Sequence, residues 1–244
     1  NYIASCSHGD ARHALGSLEI CVQLAIQSDQ SQITRTLVEA SVQHKALIYD
    51  KVGDEHYNVI SAFIKSMRGS DPDATVYWLV RMLESGEDPR FILRRMVIFA
   101  SEDIGNADPR GIRLALDAWE TQERLGSPEG ELAIAQAIVY LACAAKSNAV
   151  YKAFNSAMRD AKEFGSKDVP LHLRNAPTKL MEKLDYGKDY QYAHNEPDAY
   201  VAGEHYFPDG MEAKKYYHPV DRGLEIKIAE KLATLRERDK EVNK

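Results

Sequence analysis

The middle of the chain contains four dipeptides, at regular intervals, in which proline follows aspartate or serine. The prolines lie 17, 20 and 19 residues apart, in the dipeptides Asp71-Pro72, Asp88-Pro89, Asp108-Pro109 and Ser127-Pro128. An aspartate or serine side chain can accept hydrogen bonds from the free N–H groups at a helix start, and proline fits the first helical position because it has no N–H to donate. Each of these dipeptides therefore predicts a helix start. The short connections that remain favour antiparallel neighbours in a helical bundle.

Glycines mark where the preceding helices should end. Gly69, Gly86 and Gly126 come shortly before three of the predicted starts, where a residue in the left-handed conformation commonly closes a helix. The pattern predicts six helices, near residues 54–68, 72–85, 89–103, 109–125, 128–146 and 148–164. The fifth is apolar nearly all round its surface, so we expect it to be the central and fully buried helix.

Both ends of the chain carry their own patterns. Apolar residues recur at three- and four-residue steps after Asp10, which predicts an amphipathic helix capped by that aspartate, and Thr34 is expected to cap a second short helix within residues 33–42. After Gly165 the chain holds five prolines and seven tyrosines and should be an extended, mostly irregular segment that wraps over the bundle or a neighbouring subunit. Helical periodicity returns from Arg222. Together these patterns predict an all-α protein.

Composition excludes several classes of protein. The 31 basic and 37 acidic residues give a formal charge of -6, which argues against the overall basic footprint of a stand-alone nucleic-acid binder. The three cysteines are odd in number and form no C-x-x-C pair, so a reduced, cytoplasmic compartment is expected. The longest apolar stretch, residues 133–145, is shorter than the roughly 20 residues that span a bilayer. Because the chain starts with Asn1, we expect a fragment of a longer protein.

The sequence offers little chemistry of its own. It has no G-x-x-x-x-G-K-[ST] loop, since Gly187-Lys188 is followed by Asp189, so we expect no ATP binding by this chain alone. The histidines lack the paired spacing of a zinc site, and no metal is expected. Two carboxylates, Glu102 and Asp103, follow Arg94-Arg95 about two turns later; they could serve acid–base chemistry in a hydrolase, but ion pairs between helices are the favoured interpretation. Asp54-Glu55 is interpreted as a capping pair.

The first helix opens with Gly9-Asp10-Ala11-Arg12, followed by Ala14-Leu15 and Leu18-Glu19. This run resembles the sensor 2 motif in the lid domain of AAA+ ATPases of the clamp-loader-like branch. The resemblance implies that Arg12 is aimed at the γ-phosphate of ATP, so that binding and hydrolysis change the lid angle. The chain departs from the family pattern at His13 and Gly16, and the alternative is an ordinary surface arginine at a helix start.

Further blocks of sequence carry the resemblance across residues 1–240. They are similar to the carboxy-terminal region of the replication-associated recombination protein A (MgsA / Werner helicase-interacting protein) family of AAA+ ATPases. The blocks, in order, are Tyr49-Asp50-Lys51, Gly53-Asp54-Glu55-His56-Tyr57, Ile60-Ser61-Ala62-Phe63, Arg68-Gly69-Ser70-Asp71-Pro72, Tyr77-Trp78-Leu79, Gly86-Glu87-Asp88-Pro89, Ala100-Ser101-Glu102-Asp103-Ile104-Gly105 and Pro170-Leu171-His172-Leu173-Arg174-Asn175-Ala176-Pro177-Thr178-Lys179.

The resemblance implies three all-α parts: the end of a AAA+ lid at residues 1–45, a compact clamp-loader-collar-like oligomerisation bundle at 46–165, and a Pro/Tyr-rich covering segment with a terminal helix at 166–244, in the same domain as the bundle. It implies a homotetramer of a DNA-dependent ATPase that acts in replication fork maintenance, recombination and repair. Its expected partners are DNA at replication forks and replication proteins, in the cytoplasm and, in bacteria, at the nucleoid. ATP and magnesium would be cofactors of the full-length protein, and this fragment alone would be no enzyme.

Cations alternate with tyrosines between Leu171 and His194, a mixture that can neutralise phosphates and stack bases. The alternative is a tyrosine-rich cover whose rings pack on the bundle while the lysines are merely solvated. A DNA- or protein-binding adaptor that uses this segment is therefore a second hypothesis beside assembly. The candidate DNA-contacting residues are Arg174, Lys179, Lys183, Lys188 and Tyr190.

Overall fold

The computed structural model of the protein describes residues 11–28, 30, 32–38 and 54–242. Within these ranges the regular structure is helical and no strand occurs, which confirms the predicted all-α class. A π-helical turn, Ala100–Ile104, and a 3-10 turn, Gly105–Ala107, follow the fourth helix. The helices are α1 (Ala11–Gln27), α2 (Asp54–Arg68), α3 (Pro72–Glu84), α4 (Pro89–Phe99), α5 (Arg110–Leu125), α6 (Glu131–Cys143), α7 (Ala149–Phe164), α8 (Lys179–Lys183) and α9 (Glu225–Val242).

The chain divides into two compact units. The first unit is Asn1–Ile98 with Leu114–Cys143, and the second unit is Phe99–Arg113 with Ala144–Lys244. The predicted domain divisions after residues 45 and 165 stay a prediction. Asp10, the predicted cap of α1, lies outside the described residues. Residues 35–38 form the start of the short helix expected after Thr34, whose hydroxyl accepts a hydrogen bond from the Leu37 amide at 3.4 Å.

The first unit is built on α2, α3 and α6, each of which packs against the other two. Their facing side chains, at three- and four-residue spacing along each helix, are withdrawn from solvent. Each such side chain contributes about 1.5–3 kcal/mol when it leaves water. The core residues of these helices are Phe63, Met67, Leu79, Met82, Ile134, Ile138 and Leu141.

Three of the four predicted helix starts are confirmed by their caps. The Asp71 carboxylate accepts a hydrogen bond from the Ala74 amide at 2.9 Å, and Pro72 is the first residue of α3. Asp88 caps α4 in a related way through the Arg90 amide, at 2.9 Å. Asp108 accepts from the Arg110 amide, at 3.2 Å, where α5 begins. Each carboxylate thus satisfies a free N–H group in the first helical turn.

The fourth predicted start was wrong. Ser127-Pro128 is a cis peptide in a turn, and α6 begins three residues later at Glu131. The Gly130 amide donates to the Gly126 carbonyl at 2.7 Å, which turns the chain before the helix. Gly130 also packs so closely on α5 that a Cβ there would lie 2.3 Å from Oε1 of Gln122. Packing against α5 therefore overrides the local signal of a proline after serine.

The predicted helix ends are confirmed at two glycines and wrong at the third. Gly86 and Gly126 adopt the left-handed conformation, with φ of 77° and 74°. After α2 this conformation belongs to Ser70, at φ 61°, and not to Gly69. Gly69 instead continues the last turn, since its amide donates to the Lys65 carbonyl at 2.8 Å.

The prediction that the fifth helix is fully buried was also wrong. The α6 side chain of Leu132 is 76% exposed, and Gln136, Val139 and Cys143 are exposed as well. These four residues recur at steps of four, three and four, so they form one stripe along the helix. An all-round apolar pattern does not distinguish a side facing the core from a side left open on the surface.

The second unit is organised around the buried carboxylate of Glu225, the first residue of α9. Its Oε2 accepts hydrogen bonds from the Ser147 hydroxyl at 2.9 Å and from the Val220 amide at 2.7 Å. The Ser147 amide in turn donates to the Asp103 carbonyl at 2.8 Å. We call this set the Glu225 junction. It joins the π-helical turn, the start of α7 and the start of α9.

Gly223 lets the chain approach this junction. The Leu224 amide donates to the Ala107 carbonyl at 2.8 Å, and a Cβ on Gly223 would lie 2.1 Å from that carbonyl oxygen. Gly223 also has a φ of 56°. Only glycine meets both requirements without strain.

The predicted irregular segment is confirmed for residues 166–221. It holds only the short helix α8 and the 3-10 turns Leu171–Leu173, Ala193–Asn195 and Pro197–Ala199. Two of its tyrosine hydroxyls donate to helix carboxylates, Tyr216 to Asp160 of α7 at 2.7 Å and Tyr200 to Asp239 of α9 at 2.6 Å. Side-chain hydrogen bonds, rather than a backbone ladder, thus fasten the segment to its unit.

Replacement of Gly223 by alanine is expected to lower the free energy of unfolding by about 3 kcal/mol or more, because the new Cβ collides with backbone that has no room to move. Gly126→Ala is the matched control: it has the same sign of φ but nothing within 4 Å of the new Cβ, so it should cost about 1–2 kcal/mol. Urea unfolding followed by circular dichroism measures both. Equal losses would contradict the role of close approach at Gly223.

Candidate nucleic-acid site

Two of the five candidate DNA-contacting residues, Arg174 and Tyr190, line one cavity of about 430 Å³ in the second unit. The cavity has one wall from the turn that follows Pro170 and a second from residues 187–190, with one further side chain from residue 206. This volume lies in the range typical of small-molecule sites. The remaining lining residues are His172, Leu173, Asn175, Ala176, Gly187 and Tyr206.

Backbone hydrogen bonds bring the two walls together. The amides of Arg174 and Gly187 both donate to the Leu171 carbonyl, at 3.1 and 2.9 Å. Gly187 has a φ of 71°, and a Cβ there would lie 3.2 Å from the Arg174 carbonyl oxygen. The flanking residues Asp185 and Asp189 also have positive φ, at 60° and 64°. The turn is therefore folded tightly against the first wall.

The Arg174 side chain is held in place at the cavity and is one quarter exposed. Its Nε donates to the Val169 carbonyl at 2.6 Å, and Nη1 donates to the Tyr186 hydroxyl at 3.4 Å. The guanidinium centre lies 5.2 Å from the centre of the Tyr186 ring, and Asp168 is 4.0 Å from Nη2. These contacts use only part of the donor capacity of the guanidinium group. Hydrogens on both Nη atoms remain available for a ligand.

The three candidate lysines lie elsewhere. Lys179 and Lys183 are exposed on α8 and do not line the cavity. Lys188 pairs with Asp185 at 3.1 Å, and this hydrogen bond raises the pKa of Lys188. The structure therefore groups Arg174 with Tyr190 and leaves the lysines as solvated charges.

Sequence reasoning missed three cavity residues, His172, Asn175 and Tyr206. The imidazole Nε2 of His172 lies 2.9 Å from the His205 carbonyl oxygen and 3.2 Å from a Glu204 carboxylate oxygen. His172 and Asn175 stand in the block Pro170 to Lys179, and the resemblance of that block to the family could have pointed to them. Tyr206 lies 32 residues after Arg174 in the sequence. Its place at the cavity is visible only in the folded structure.

The tyrosines of the segment divide into two groups. Burial and the neighbouring Asp239 carboxylate raise the pKa of Tyr200 to about 12, and the Tyr200 hydroxyl in turn lowers the pKa of Asp239. The Tyr216 hydroxyl lowers the pKa of Asp160 in the same way, with help from Lys214 at 2.9 Å. In contrast, Tyr190, Tyr192 and Tyr206 are each more than half exposed. The first group fastens the segment, and the second presents aromatic faces to solvent.

The other candidate sites are placed as follows. Arg12 lies in the first turn of α1, and its side chain is outside the described residues, as are those of Asp54 and Glu55 at the start of α2. Glu102 is exposed on the π-helical turn, and the Asp103 carbonyl serves the Glu225 junction. Among the residues that the structure describes, no three His, Cys, Asp or Glu side chains are grouped so that they could hold a metal ion.

Membrane insertion was also tested against the helices. Across the described ranges 11–28, 32–38 and 54–242, no helix combines the length and the apolar character needed to cross a bilayer.

Comparison with known proteins gives two adjoining family matches. A family described as MgsA AAA+ ATPase C terminal matches residues 69–236, and one described as AAA C-terminal domain matches residues 1–68. The chain is 57% identical to replication-associated recombination protein A of Coxiella burnetii over 94% of this chain and 52% of the relative. It is 51% identical to the protein of the same name from Escherichia coli K12, over 97% of this chain and 54% of the relative.

A eukaryotic protein is also similar. ATPase WRNIP1 of Dictyostelium discoideum is 40% identical over 88% of this chain and 26% of its own length. The chain thus spans about half the length of the bacterial relatives named above. The helical fold and the two matches define a carboxy-terminal region of a AAA+ ATPase. Within that class, the chain belongs to the MgsA family, as the sequence blocks had indicated.

The Tyr200–Asp239 bond should give the protein a characteristic acid sensitivity. Because the folded pKa of Asp239 is lowered, the bond stabilises the fold above the unfolded value of about 3.9 and loses this effect as the pH falls through the folded value. Asp239→Asn should therefore lower the unfolding midpoint at pH 7, and the difference from wild type should narrow as the pH falls through the folded pKa of Asp239.

The control for this experiment is Asp209→Asn, which removes the same charge from an exposed residue of the segment. Thermal unfolding between about pH 2 and pH 8 measures all three proteins. The difference in unfolding midpoint between Asp239→Asn and wild type should depend on pH. An equal difference at low and at neutral pH would contradict the stabilising role of the Tyr200–Asp239 bond.

Proposed function

We propose that this chain assembles copies of a AAA+ ATPase into a homotetramer, and that the full-length protein acts in DNA replication fork maintenance, recombination and repair. The name of the bacterial relatives, replication-associated recombination protein A, supports the second part. The all-helical chain without a phosphate-binding loop supports the first, because such a region can organise motor domains but cannot hydrolyse ATP by itself. The protein would work in the cytoplasm, in bacteria beside the nucleoid, with DNA and replication proteins as partners.

The observation that carries the assembly proposal is an apolar stripe on α7. Val150, Tyr151, Phe154 and Met158 are all exposed, with Phe154 at 65%. At about 100° per residue these four positions lie within roughly 100° of one another around the helix axis. Exposed apolar stripes of this kind typically mark protein–protein contacts. A second copy of the chain would remove these side chains from water.

Light scattering after size-exclusion chromatography tests the assembly directly. The wild-type chain is expected at a mass near four times 27.4 kDa. Phe154→Glu should shift the mass toward one or two chains, because a charge would have to be buried in the contact. Lys152→Glu is the matched control, since it also adds a glutamate to an exposed position of α7 but on another side of the helix.

Two outcomes would overturn this proposal in different ways. A wild-type monomer at all concentrations would exclude autonomous assembly and favour the adaptor function. An unchanged tetramer in Phe154→Glu would retain assembly but remove the α7 stripe from the interface. Circular dichroism of each variant separates loss of contact from loss of fold.

We further propose that Arg12 acts as the sensor 2 arginine of the full-length protein. ATP and magnesium would bind to the AAA+ core, and the guanidinium group would contact the γ-phosphate. Arg12→Ala in the full-length protein is then expected to lower ATP turnover by about tenfold or more, with fold and assembly intact. Arg35→Ala, on the short helix that follows α1, is a control for loss of an exposed arginine. Unchanged turnover in Arg12→Ala would exclude the sensor role.

The second candidate function is a DNA-binding adaptor that uses the irregular segment. The cavity lined by Arg174 and Tyr190 favours it, because a fixed guanidinium group and an exposed aromatic ring meet there. Gel shifts across salt concentrations would separate it from simple assembly, since phosphate contacts weaken steeply as salt rises.

A further inference from the structure

Several polar side-chain groups around the cavity make no hydrogen bond to another described residue. The Asn175 amide and the Tyr190 and Tyr206 hydroxyls line the cavity, and none makes a side-chain hydrogen bond to another described residue. The Arg174 guanidinium group adds unused donors on its Nη atoms. Four different hydrogen-bonding groups therefore face one space. Convergence of such groups in a concave site is typical of ligand recognition.

Among the described side chains that line the cavity, Arg174 is the one arginine or lysine. The Glu204 carboxylate is paired with His172 at 3.2 Å, and Asp185 is paired with Lys188 at 3.1 Å. The Asp185 charge is thus partly neutralised by Lys188. Arg174 has only a 4.0 Å approach from Asp168, which is itself 88% exposed. An anionic group in the cavity would be attracted to the Arg174 guanidinium group.

The aromatic side chains give the cavity a second property. Tyr190 and Tyr206 are more than half exposed, although buried tyrosine rings are the norm in a packed cover. An exposed ring beside a cavity offers a flat face on which a planar heterocycle can stack. A ligand that suits this site combines an anion, a planar ring and several hydrogen-bonding edges. A nucleotide has all three.

We infer that the cavity formed by residues 172–176, 187–190 and 206 binds a single nucleotide, with its base against Tyr190 and its phosphate at Arg174 and Asn175. The inference rests on the proposed role of the protein in DNA metabolism. Two sources share this chemistry: an unpaired nucleotide of a DNA strand and a free nucleotide. A base stacked inside a duplex cannot enter such a cavity without being unpaired, which costs a few kcal/mol. Unpaired DNA is the expected source.

The test uses fluorescence anisotropy with a labelled oligothymidylate, and with the same strand in a duplex. Tyr190→Ala is expected to weaken binding of the single strand about fivefold or more, the effect of losing one stacked base. Asn175→Ala should weaken it by a smaller factor. Tyr192→Ala is the matched control, because Tyr192 is a similarly exposed tyrosine of the same segment that does not line the cavity. It should change the Kd by less than about twofold.

Competition with thymidine monophosphate separates the sources. If the single strand binds and both ligands depend on Tyr190, the site takes an unpaired nucleotide of DNA. If only the monophosphate binds, and does so through Tyr190, the site takes free nucleotides. The inference is overturned if neither ligand binds, or if Tyr190→Ala and Tyr192→Ala behave alike. Light scattering on the same samples keeps this result apart from assembly, since a failed cavity with an intact tetramer leaves the proposed assembly function standing.

Discussion

Burial of the Glu225 carboxylate is the constraint on which most of the second unit depends. A buried carboxyl group needs hydrogen-bond partners, and Oε2 of Glu225 finds them in the Ser147 hydroxyl and the Val220 amide, while the buried Oε1 has none among the described residues. The Ser147 hydroxyl lies 78 residues before Glu225 in the sequence, so this bond ties the start of α9 to the start of α7. From there α9 presents Asp239, which fixes Tyr200 in the irregular segment. The cavity lies in the segment that is fastened in this way.

The second unit carries two different kinds of exposed surface. The α7 stripe is apolar and open, while the cavity is polar and concave. The first suits a second copy of the chain and the second suits a small, charged ligand. A protein that joins motor domains and also senses unpaired DNA would need both. The long irregular segment forms the cavity. The segment is held to helices α7 and α9 by side-chain hydrogen bonds.

Local signals predicted the helices well and the contacts between distant residues poorly. The bounds of α2 were predicted to the residue, although the left-handed residue that follows it is Ser70 and not the predicted Gly69. Ser127-Pro128 failed as a helix start because the close packing of Gly130 on Gln122 decides the turn there. The same limit applies to the site: Arg174 and Tyr190 were singled out from their type, but the hydrogen bonds of Arg174 and Gly187 to the Leu171 carbonyl, which bring them together, were not predicted. The pairing of Lys188 with Asp185, three residues apart, was within reach of sequence reasoning.

The two tyrosine hydrogen bonds have a consequence that concerns topology. Asp160 is bonded to Tyr216, and Tyr200 to Asp239, so the two loops that these bonds close overlap along the chain as in a pseudoknot. Neither loop encloses the other. Detachment of the terminal helix would break the Tyr200–Asp239 bond and release Tyr200, which lies inside the loop that Asp160 and Tyr216 close. The end of the terminal helix is therefore coupled through Tyr200 to a part of the segment that α7 also holds.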